Sequence, residues 1–365
     1  MYFGGVFRVS PTIAHTWRMM RRRAGAAFYL NKNRLLGRSF VPHPRWRLFV
    51  ETVSFCNLEC RFCSYPKKLR PRTVMDDAMF INCIDQVAEM GFEMIAITPI
   101  TGDIFMDKKI LARMAYIQRS GVRNFGCYTN FIGADADAVA AVLSMDKLNY
   151  MEISVYGHDL DGFRRITGRG AKQYRRFLDN LASLADALER HRHPAEIVLG
   201  FRTDRSFRWP WPQKNELIGL AERLEALGVR IGYSSMVDNW GGDITERDID
   251  GLGMDLADGR SFYKKGACAL PFDSVQITAT GEVNACACRD PKGTLALGDI
   301  KTTPLSRILS AENERWVGII EDHEAGRFNE VCRACGFYQS IYDERRGTES
   351  RMTMREYFAR LEDER

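Results

Sequence analysis

Short apolar runs alternate with segments of helical period throughout residues 46–235 of this 365-residue chain. Short apolar runs favour buried strands, and apolar residues three and four positions apart favour helices. The predicted strands are residues 46–54, 94–99, 122–129, 150–156, 196–201 and 229–234. The predicted helices between them are residues 75–90, 108–120, 134–143, 173–190 and 215–227. This alternation requires parallel strands with right-handed crossovers, so we expect an α/β fold with functional residues at the carboxyl ends of the strands.

Three cysteines follow the first predicted strand. Cys56, Cys60 and Cys63 have the spacing Cys-x3-Cys-x2-Cys, which places three thiolates in one short loop. Three thiolates can hold three corners of a 4Fe–4S cube and leave the fourth iron open, and an open metal position is typical of catalytic sites. The alternatives are a structural zinc ion with a distant fourth ligand, or cysteines that are simply buried.

The triplet, with the aromatic Phe62 before its third cysteine, resembles the motif of the radical S-adenosylmethionine (radical SAM) superfamily. The resemblance implies a partial (β/α)6 barrel and a SAM molecule chelated by the open iron. Cleavage of SAM by one electron would give a 5′-deoxyadenosyl radical that abstracts a substrate hydrogen. The residues implied to bind SAM are Phe62, Gly102, Asp103, Asn130, Ser154 and Arg165. For Asp103 the alternative is a helix cap, and for Arg165 a surface arginine.

A second group of cysteines lies near the carboxyl terminus. It consists of Cys268, Cys286, Cys332 and Cys335, and residues 275–283 in its middle predict a hairpin that turns at Gly281. The group resembles the SPASM/Twitch extension of radical SAM enzymes in its shorter, Twitch form, which implies one auxiliary 4Fe–4S cluster with four thiolate ligands. A four-cysteine zinc ribbon is the alternative.

Cys288 is an additional cysteine of this region. It could replace Cys286 as a ligand, act as a free thiol that returns hydrogen to a substrate radical, or be a small buried side chain. The domain prediction is a basic arm (1–45), the barrel (46–235), a linker or lid (236–267), a small Twitch-type iron-sulfur domain with a hairpin and a helix at 305–317 (268–340), and a charged C-terminal helix (341–365).

The charge of the chain is distributed unevenly. Residues 1–50 hold nine Arg, one Lys and no acidic residue, so this segment carries +10 and the rest carries −5 of the net +5. Ile13, Trp17, Met20 and Ala24 share one face of a predicted helix that begins near Pro11. The segment predicts an anionic membrane surface or a phosphorylated substrate as its partner, with an ordinary solvated face as the alternative.

No apolar run reaches the ~20 residues that span a bilayer, and ten cysteines in a chain this long do not indicate a disulfide-dense secreted protein. The sequence therefore predicts a cytoplasmic enzyme, peripheral at a membrane if the basic arm binds lipid. An electron donor such as flavodoxin or ferredoxin would reduce the catalytic cluster.

The expected activity is that of a radical SAM oxidoreductase, a dehydrogenase or an epimerase acting on a carbohydrate-like alcohol such as a sugar or cyclitol. This follows from the resemblance, because Twitch-type relatives oxidise such alcohols with the auxiliary cluster as electron acceptor. The sequence identifies no catalytic base. One alternative is modification of a peptide or protein, and another is a zinc-stabilised nucleic-acid-binding protein.

Overall fold

The computed structural model describes residues 11–259, 263–287, 289–344 and 354–363. Its centre is a sheet whose first six strands lie side by side in chain order, every neighbouring pair parallel. They are β1 (Arg47–Val50), β2 (Met94–Ile97), β3 (Asn124–Thr129), β4 (Leu148–Tyr156), β5 (Glu196–Arg202) and β6 (Arg230–Ser234). The predicted parallel α/β architecture is confirmed.

Helices follow the strands, and several of them begin at side chains that accept hydrogen bonds from the first turn. After α1 (Pro11–Leu35), they are α2 (Asp77–Glu89), α3 (Ile110–Arg119), α4 (Ala136–Leu143), α5 (Leu160–Thr167), α6 (Ala171–Arg190) and α7 (Glu216–Ala226). Asp76, Asp135 and Asn215 cap α2, α4 and α7. The sequence prediction missed α5, which Asp159 caps and which ends at Gly168 with a φ of 67°.

The two faces of the sheet have different roles. On β4, Met151, Ile153 and Val155 are buried against the helices, whereas the alternate residues are only half-buried and face the hollow of the barrel. Cys127 and Cys83 both pack in the helix-facing core.

The segment predicted as a linker or lid has a packed structure. It contains the parallel pair β7 (Met236–Asp238) and β8 (Asp255–Ala257), a 3₁₀ turn at Trp240–Gly242, and α8 (Glu246–Ile249). The segment also has its own apolar cluster, formed by Val237, Ile244, Ile249, Leu252 and Met254 with Ile166 of α5. It is therefore fixed to the barrel by burial of apolar side chains.

Three further strands extend the sheet beyond β1. They are β9 (Gln276–Ile277), β10 (Glu282–Asn284) and β11 (Ala296–Asp299). β9 pairs parallel with β1, and β9 and β10 form the predicted antiparallel hairpin. Gly281 makes its turn with a φ of 91°, which glycine adopts without strain. The small domain thus shares one sheet with the barrel.

The remaining helices are α9 (Leu270–Asp273), α10 (Leu305–Ile308), α11 (Glu314–Glu324), α12 (Glu330–Ala334) and α13 (Met354–Asp363). The single helix predicted over 305–317 is wrong. Asn313 accepts hydrogen bonds from the amides of Arg315 and Trp316 as the N-cap of α11, and donates to the Ile308 carbonyl at 2.7 Å. Its side chain therefore ends one helix and starts the next.

The second half of the predicted basic arm belongs to the folded body. Leu30, Phe40 and Val41 are buried. Asn33 donates to the Tyr342 carbonyl at 2.9 Å, and the Phe40 amide donates to the Ile341 carbonyl at 2.6 Å. α1 begins at Pro11 as predicted, while the side chains of Ile13 and Trp17 lie outside the described residues. Within the described ranges, no helix combines the length and hydropathy needed to cross a membrane.

Candidate active site and the two cysteine clusters

The first cysteine loop leaves the carboxyl end of β1. Cys60 is buried and Cys56 and Cys63 are partly exposed. The Cys63 amide donates to the Cys60 carbonyl at 3.0 Å, and the amides of Leu58 and Tyr65 each point at a cysteine sulfur at 3.4 Å. Burial raises the pKa of all three thiols, that of Cys63 to about 11. Such thiols carry charge only beside a compensating cation, which a cluster iron supplies.

The end of α5 holds this loop in place. The Glu59 amide donates to the Thr167 carbonyl at 3.0 Å, and the Arg61 amide donates to the Ile166 carbonyl at 2.9 Å. Arg169 donates to the Asn57 carbonyl at 2.9 Å. Arg165, one of the residues implied to bind SAM, is exposed on α5, the position of the surface arginine considered as the alternative. Sequence reasoning missed Arg169 because α5 itself was missed.

Gly102, Asp103 and Asn130 converge on Cys56. A Cβ at Gly102 would lie 2.9 Å from the Phe55 carbonyl oxygen, so only glycine allows this approach to the cysteine loop. The Asn130 side-chain amide donates to the Cys56 sulfur at 3.4 Å and to Asn57 Oδ1 at 2.7 Å. The structure therefore brings the ends of β2 and β3 to the cysteine loop.

Asp103 is 1% exposed, and both oxygens of its carboxylate accept hydrogen bonds from other residues of the chain. Its oxygens accept from the Phe105 amide at 3.0 Å, the Thr129 hydroxyl at 2.9 Å and the Asn130 amide at 2.6 Å. The bond from Phe105 is that of the helix cap that the sequence left as the alternative, and the other two tie Asp103 to the end of β3. A contact with the SAM ammonium stays a prediction.

The inner face of β4 adds the next part of the site. Ser154 and Tyr156 lie on the hollow side of the strand. The Tyr156 ring lies 6.0 Å from the Phe62 ring. Burial raises the pKa of Cys60, and the Tyr156 hydroxyl, which donates to that sulfur, opposes the rise. Ser154 thus faces the same hollow as the cysteine loop, with Tyr156, which the sequence did not single out, between them.

The second group of cysteines surrounds one cavity, which is lined by Cys268, Cys286, Cys332 and Cys335 with Arg289, His323 and mostly apolar side chains. Burial raises the pKa of Cys335 to about 12, and the Phe337 amide donates to its sulfur at 3.2 Å. Among the described residues, no three His, Cys, Asp or Glu side chains stand close enough to share one metal ion. A 4Fe–4S cube instead presents a separate iron to each thiolate. Cys288 lies outside the described residues.

His323 gives an independent test of whether a cluster fits this cavity. It is buried, and burial lowers its pKa to about 4, so the ring is neutral. Its Nδ1 accepts from the Cys268 amide at 3.5 Å, which places the ring proton on Nε2. Within the described part of the chain this buried Nε2 has no partner. A cluster sulfur in the cavity would accept its proton and remove the unpaired donor.

Lys264 closes the other side of this second cysteine site. Its ammonium donates to the carbonyls of Cys332 at 2.5 Å, Arg333 at 2.7 Å and Cys335 at 3.0 Å. These carbonyls end α12 and need a partner at that position. The sequence does not predict this role of Lys264, because a single lysine belongs to no recognisable motif.

The segment 236–257 joins the two cysteine sites. Trp240 donates from its indole nitrogen to the Phe62 carbonyl at 2.9 Å, inside the first cysteine loop. Next to it, Asn239 donates to the Ala334 carbonyl at 2.7 Å and accepts from the Gly336 amide at 2.9 Å, on either side of Cys335. A single turn therefore contacts both cysteine motifs.

Arg289 lies between the two sites. It lines the cavity of the second cysteines and pairs with Asp238. Its guanidinium carbon is 4.2 Å from the ring centre of Phe337. Burial raises the pKa of Cys63, while its bond from Tyr65 and the charge of Arg289 lower it. Arg289 thus lines the cavity of the second cysteines and also influences a thiol of the first cysteine loop.

Comparison with known proteins identifies the family. The family model of the radical SAM superfamily matches residues 50–208, and that of the SPASM iron-sulfur cluster-binding domain matches residues 268–336. The chain belongs to the radical SAM superfamily. This radical SAM enzyme with a SPASM/Twitch-type domain therefore uses SAM and two 4Fe–4S clusters. The match to an iron-sulfur family replaces the zinc ribbon considered as the alternative.

The chain is similar to solved structures of known proteins. SuiB of Streptococcus suis, bound to its precursor peptide SuiA, aligns with a TM-score of 0.52 and 12% identity over 86% of this chain and 74% of that chain. BtrN in complex with AdoMet and 2-DOIA aligns with a TM-score of 0.49 and 16% identity over 79% of this chain and 92% of that chain. No protein with curated annotation matches this sequence.

The His323 contact predicts a change in the auxiliary cluster. His323→Phe keeps a buried ring but removes the Nε2 donor, and hydrogen bonds to cluster sulfur raise the reduction potential. We expect a more negative potential of the auxiliary cluster with unchanged iron content, measured by EPR-monitored redox titration of the anaerobic holoenzyme. The Cys56, Cys60 and Cys63 cluster is the internal control. Equal shifts of both clusters would contradict a local bond.

Proposed function

We propose that this radical SAM enzyme oxidises a secondary alcohol of a sugar- or cyclitol-like substrate to a ketone. The observation that carries the proposal is the bridge between the two cysteine sites through Trp240, Asn239 and Arg289. A second cluster held beside the first can accept an electron from a substrate held near both. An external reductant of the flavodoxin or ferredoxin type would supply the electron for SAM cleavage.

Each cofactor has its own set of residues in this proposal. Cys56, Cys60 and Cys63 would hold the catalytic cluster, and the four second-group cysteines would hold the auxiliary cluster. Gly102, Asn130 and Ser154 would position SAM where the ends of β2, β3 and β4 meet the cysteine loop. When bound, these cofactors supply a 5′-deoxyadenosyl radical and an electron acceptor.

The proposed oxidation of the alcohol balances in atoms and electrons with SAM, a base and the auxiliary cluster as the acceptors. The alcohol carbon would lose one hydrogen atom to the radical that bound SAM supplies, the hydroxyl would lose a proton to a base, and the remaining electron would be accepted by the auxiliary cluster. Four thiolates would leave that cluster without an open iron, and its cavity is mostly apolar. Both properties favour electron transfer over substrate ligation.

The test compares wild type with a Cys332→Ala, Cys335→Ala variant. Anaerobic holoenzyme is incubated with SAM, dithionite and a panel of sugars and cyclitols, and ketones are trapped by borodeuteride reduction. The wild type should form 5′-deoxyadenosine and a ketone, whereas the variant should form 5′-deoxyadenosine alone. A wild type that modifies only peptides, or equal ketone yield in the variant, would refute the proposal.

Cys288 distinguishes a dehydrogenase from an epimerase. A dehydrogenase passes the electron to the auxiliary cluster and needs no hydrogen donor, so Cys288→Ala should leave turnover nearly unchanged. An epimerase would stall in this variant while 5′-deoxyadenosine still forms. Solvent deuterium that enters a substrate carbon in the wild type, and not in Cys288→Ala, would identify an epimerase.

The basic N-terminal segment supports an anionic partner, either a membrane surface or the phosphate of a substrate. On α1, Phe28 is 74% and Leu35 is 88% exposed, on a helix that also exposes Arg21, Arg23 and Lys32. Apolar side chains beside cations suit an anionic bilayer interface. Removal of residues 1–24 takes away Arg21 and Arg23 but keeps Phe28 and Leu35, so it should weaken salt-sensitive sedimentation with anionic vesicles and spare the packed residues 30–41. Equal sedimentation of both forms would exclude the membrane.

A further inference from the structure

The inner face of the barrel holds a charged pair that the cluster and SAM sites do not use. In β4 and β5 the paired positions Glu152 and Val198, Ser154 and Gly200, and Tyr156 and Arg202 share this face. Ser154 and Tyr156 lie at the carboxyl end, near the cysteine loop. Glu152 is the next inward-facing residue of β4 away from that end, two positions before Ser154.

Two side chains hold Glu152 in a fixed orientation. Arg202 Nη2 donates to Glu152 Oε1 at 2.7 Å, and the Tyr150 hydroxyl donates to Oε2 at 2.8 Å. Burial, followed by the neighbouring Glu152 carboxylate, raises the pKa of Tyr150, so its phenol keeps the proton that it donates. The Glu152 and Arg202 side chains remain 16% and 36% exposed, so both still face open space.

Two glycines lie beside this pair on the neighbouring strands. Gly200 and Gly232 are neighbours on β5 and β6. A Cβ at Gly200 would lie 3.0 Å from Glu152 Oε1, whereas a Cβ at Gly232 would meet only Val198, at 4.0 Å. Gly200 therefore lets the Glu152 carboxylate lie against β5, whereas Gly232 leaves open backbone beside the charged pair, where a ring can lie.

The chemistry of the pair selects a neutral ligand with several hydroxyl groups. Glu152 and Arg202 cancel in charge, so neither a cation nor an anion is favoured. A carboxylate has about four acceptor positions and a guanidinium five donors, and the bonds described above use only part of them. The pair can accept from one hydroxyl and donate to its neighbour at the same time.

We propose that Glu152 and Arg202 form the substrate subsite of this enzyme and bind adjacent hydroxyls of a neutral polyhydroxylated ring. The inference rests on the proposed alcohol oxidation and names the residues that recognise its substrate. Glu152 is a binding residue, and Tyr150 positions its carboxylate. The ring lies over Gly232, with the alcohol to be oxidised toward Ser154.

Equilibrium dialysis of the anaerobic holoenzyme with SAM tests the subsite, with labelled myo-inositol and glucose as probes. Glu152→Gln and Arg202→Lys should each weaken binding of the probes about tenfold or more, because each removes a charge-assisted or forked hydrogen bond. The SAM dissociation constant should stay unchanged. Glu196→Gln is the matched control, since Glu196 pairs with Arg230 in an exposed ion pair at the other end of the same strands.

The outcomes separate the subsite from the reaction. Failure of both probes to bind wild type, equal binding by Glu152→Gln and Glu196→Gln, or a loss of SAM affinity alone would each overturn the subsite. Iron content and melting temperature equal to those of Glu196→Gln show that the variants fold. If Glu152→Gln does not fold, Arg202→Lys provides the test of the subsite. Binding of the probes without ketone formation would refute the proposed oxidation and leave the subsite standing.

Discussion

Replacing Cys56, Cys60 and Cys63 together by alanine should lower the iron content from about eight to about four atoms per chain and abolish SAM cleavage. The three thiols lie in one loop, where burial keeps them neutral unless iron is present. Iron and sulfide analysis of anaerobically prepared protein, with an assay for 5′-deoxyadenosine, measures both effects. The four auxiliary cysteines should keep their cluster.

Cys83→Ala is the matched control for this experiment. Cys83 is a fully buried cysteine in the helix-facing core, away from both cysteine sites. It should keep the full iron content and SAM cleavage while losing some stability to the small cavity. Iron loss in Cys83→Ala comparable to that of the triple variant, or stoichiometric zinc in the wild type, would contradict the assignment of the ligands.

Arg70→Met should destabilise the protein by about 3–5 kcal/mol at neutral pH, because it leaves a buried carboxylate without its cation. Glu51 is 0% exposed, directly after β1. Arg70 Nη1 donates to it at 3.0 Å, the Ile100 amide at 2.8 Å and the Ala279 amide at 3.1 Å. The carboxylate thus joins the barrel strands to the hairpin of the auxiliary domain.

The loss of stability in Arg70→Met should be larger at high pH than at low pH. Burial raises the pKa of Glu51, and Arg70 is the strongest influence opposing that rise. Without Arg70 the pKa rises further, so the folded variant binds a proton more readily than the unfolded chain and gains stability as the pH falls. Thermal unfolding of the anaerobic holoenzyme should therefore show a larger deficit at pH 8 than at pH 5.5.

The double variant Glu51→Gln, Arg70→Met separates charge from packing. It removes the buried charge together with its partner, so it should be more stable than Arg70→Met at pH 8 and lose the pH dependence. A single variant as stable as the double one, or a deficit equal at both pH values, would show that Glu51 is not held as a carboxylate.

The positions of the two cysteine sites depend on residues that connect the barrel with the auxiliary domain. Trp240 and Asn239 contact both cysteine motifs, and Glu51 joins β1, β2 and the auxiliary hairpin. Since the two parts share one sheet through β1 and β9, a shift of the hairpin would move both cysteine sites. The distance between the two cysteine sites is therefore set by the same contacts that stabilise the fold.

The sequence alone determined the parallel α/β barrel, the two cysteine motifs and the hairpin at Gly281. These features are encoded locally, because the helical and strand periods, the spacing of ligands along a loop and the backbone freedom of glycine are properties of short segments. The errors in the predicted secondary structure also concern short segments. α5 was missed, and the break between α10 and α11 at Asn313 depends on side-chain bonds that helical spacing does not reveal.

Only the tertiary structure decided which distant residues meet. The position of β9 beside β1, the Glu152 and Arg202 pair, and the approach of His323, Lys264 and Arg289 to the auxiliary cysteines join parts of the chain that no local pattern relates. It also placed Cys127 on the helix-facing side and engaged the Asp103 carboxylate in a cap. Burial and pairing of charges are set by packing of the whole chain, so they become visible only when strand register and helix docking fix which side chains share a space.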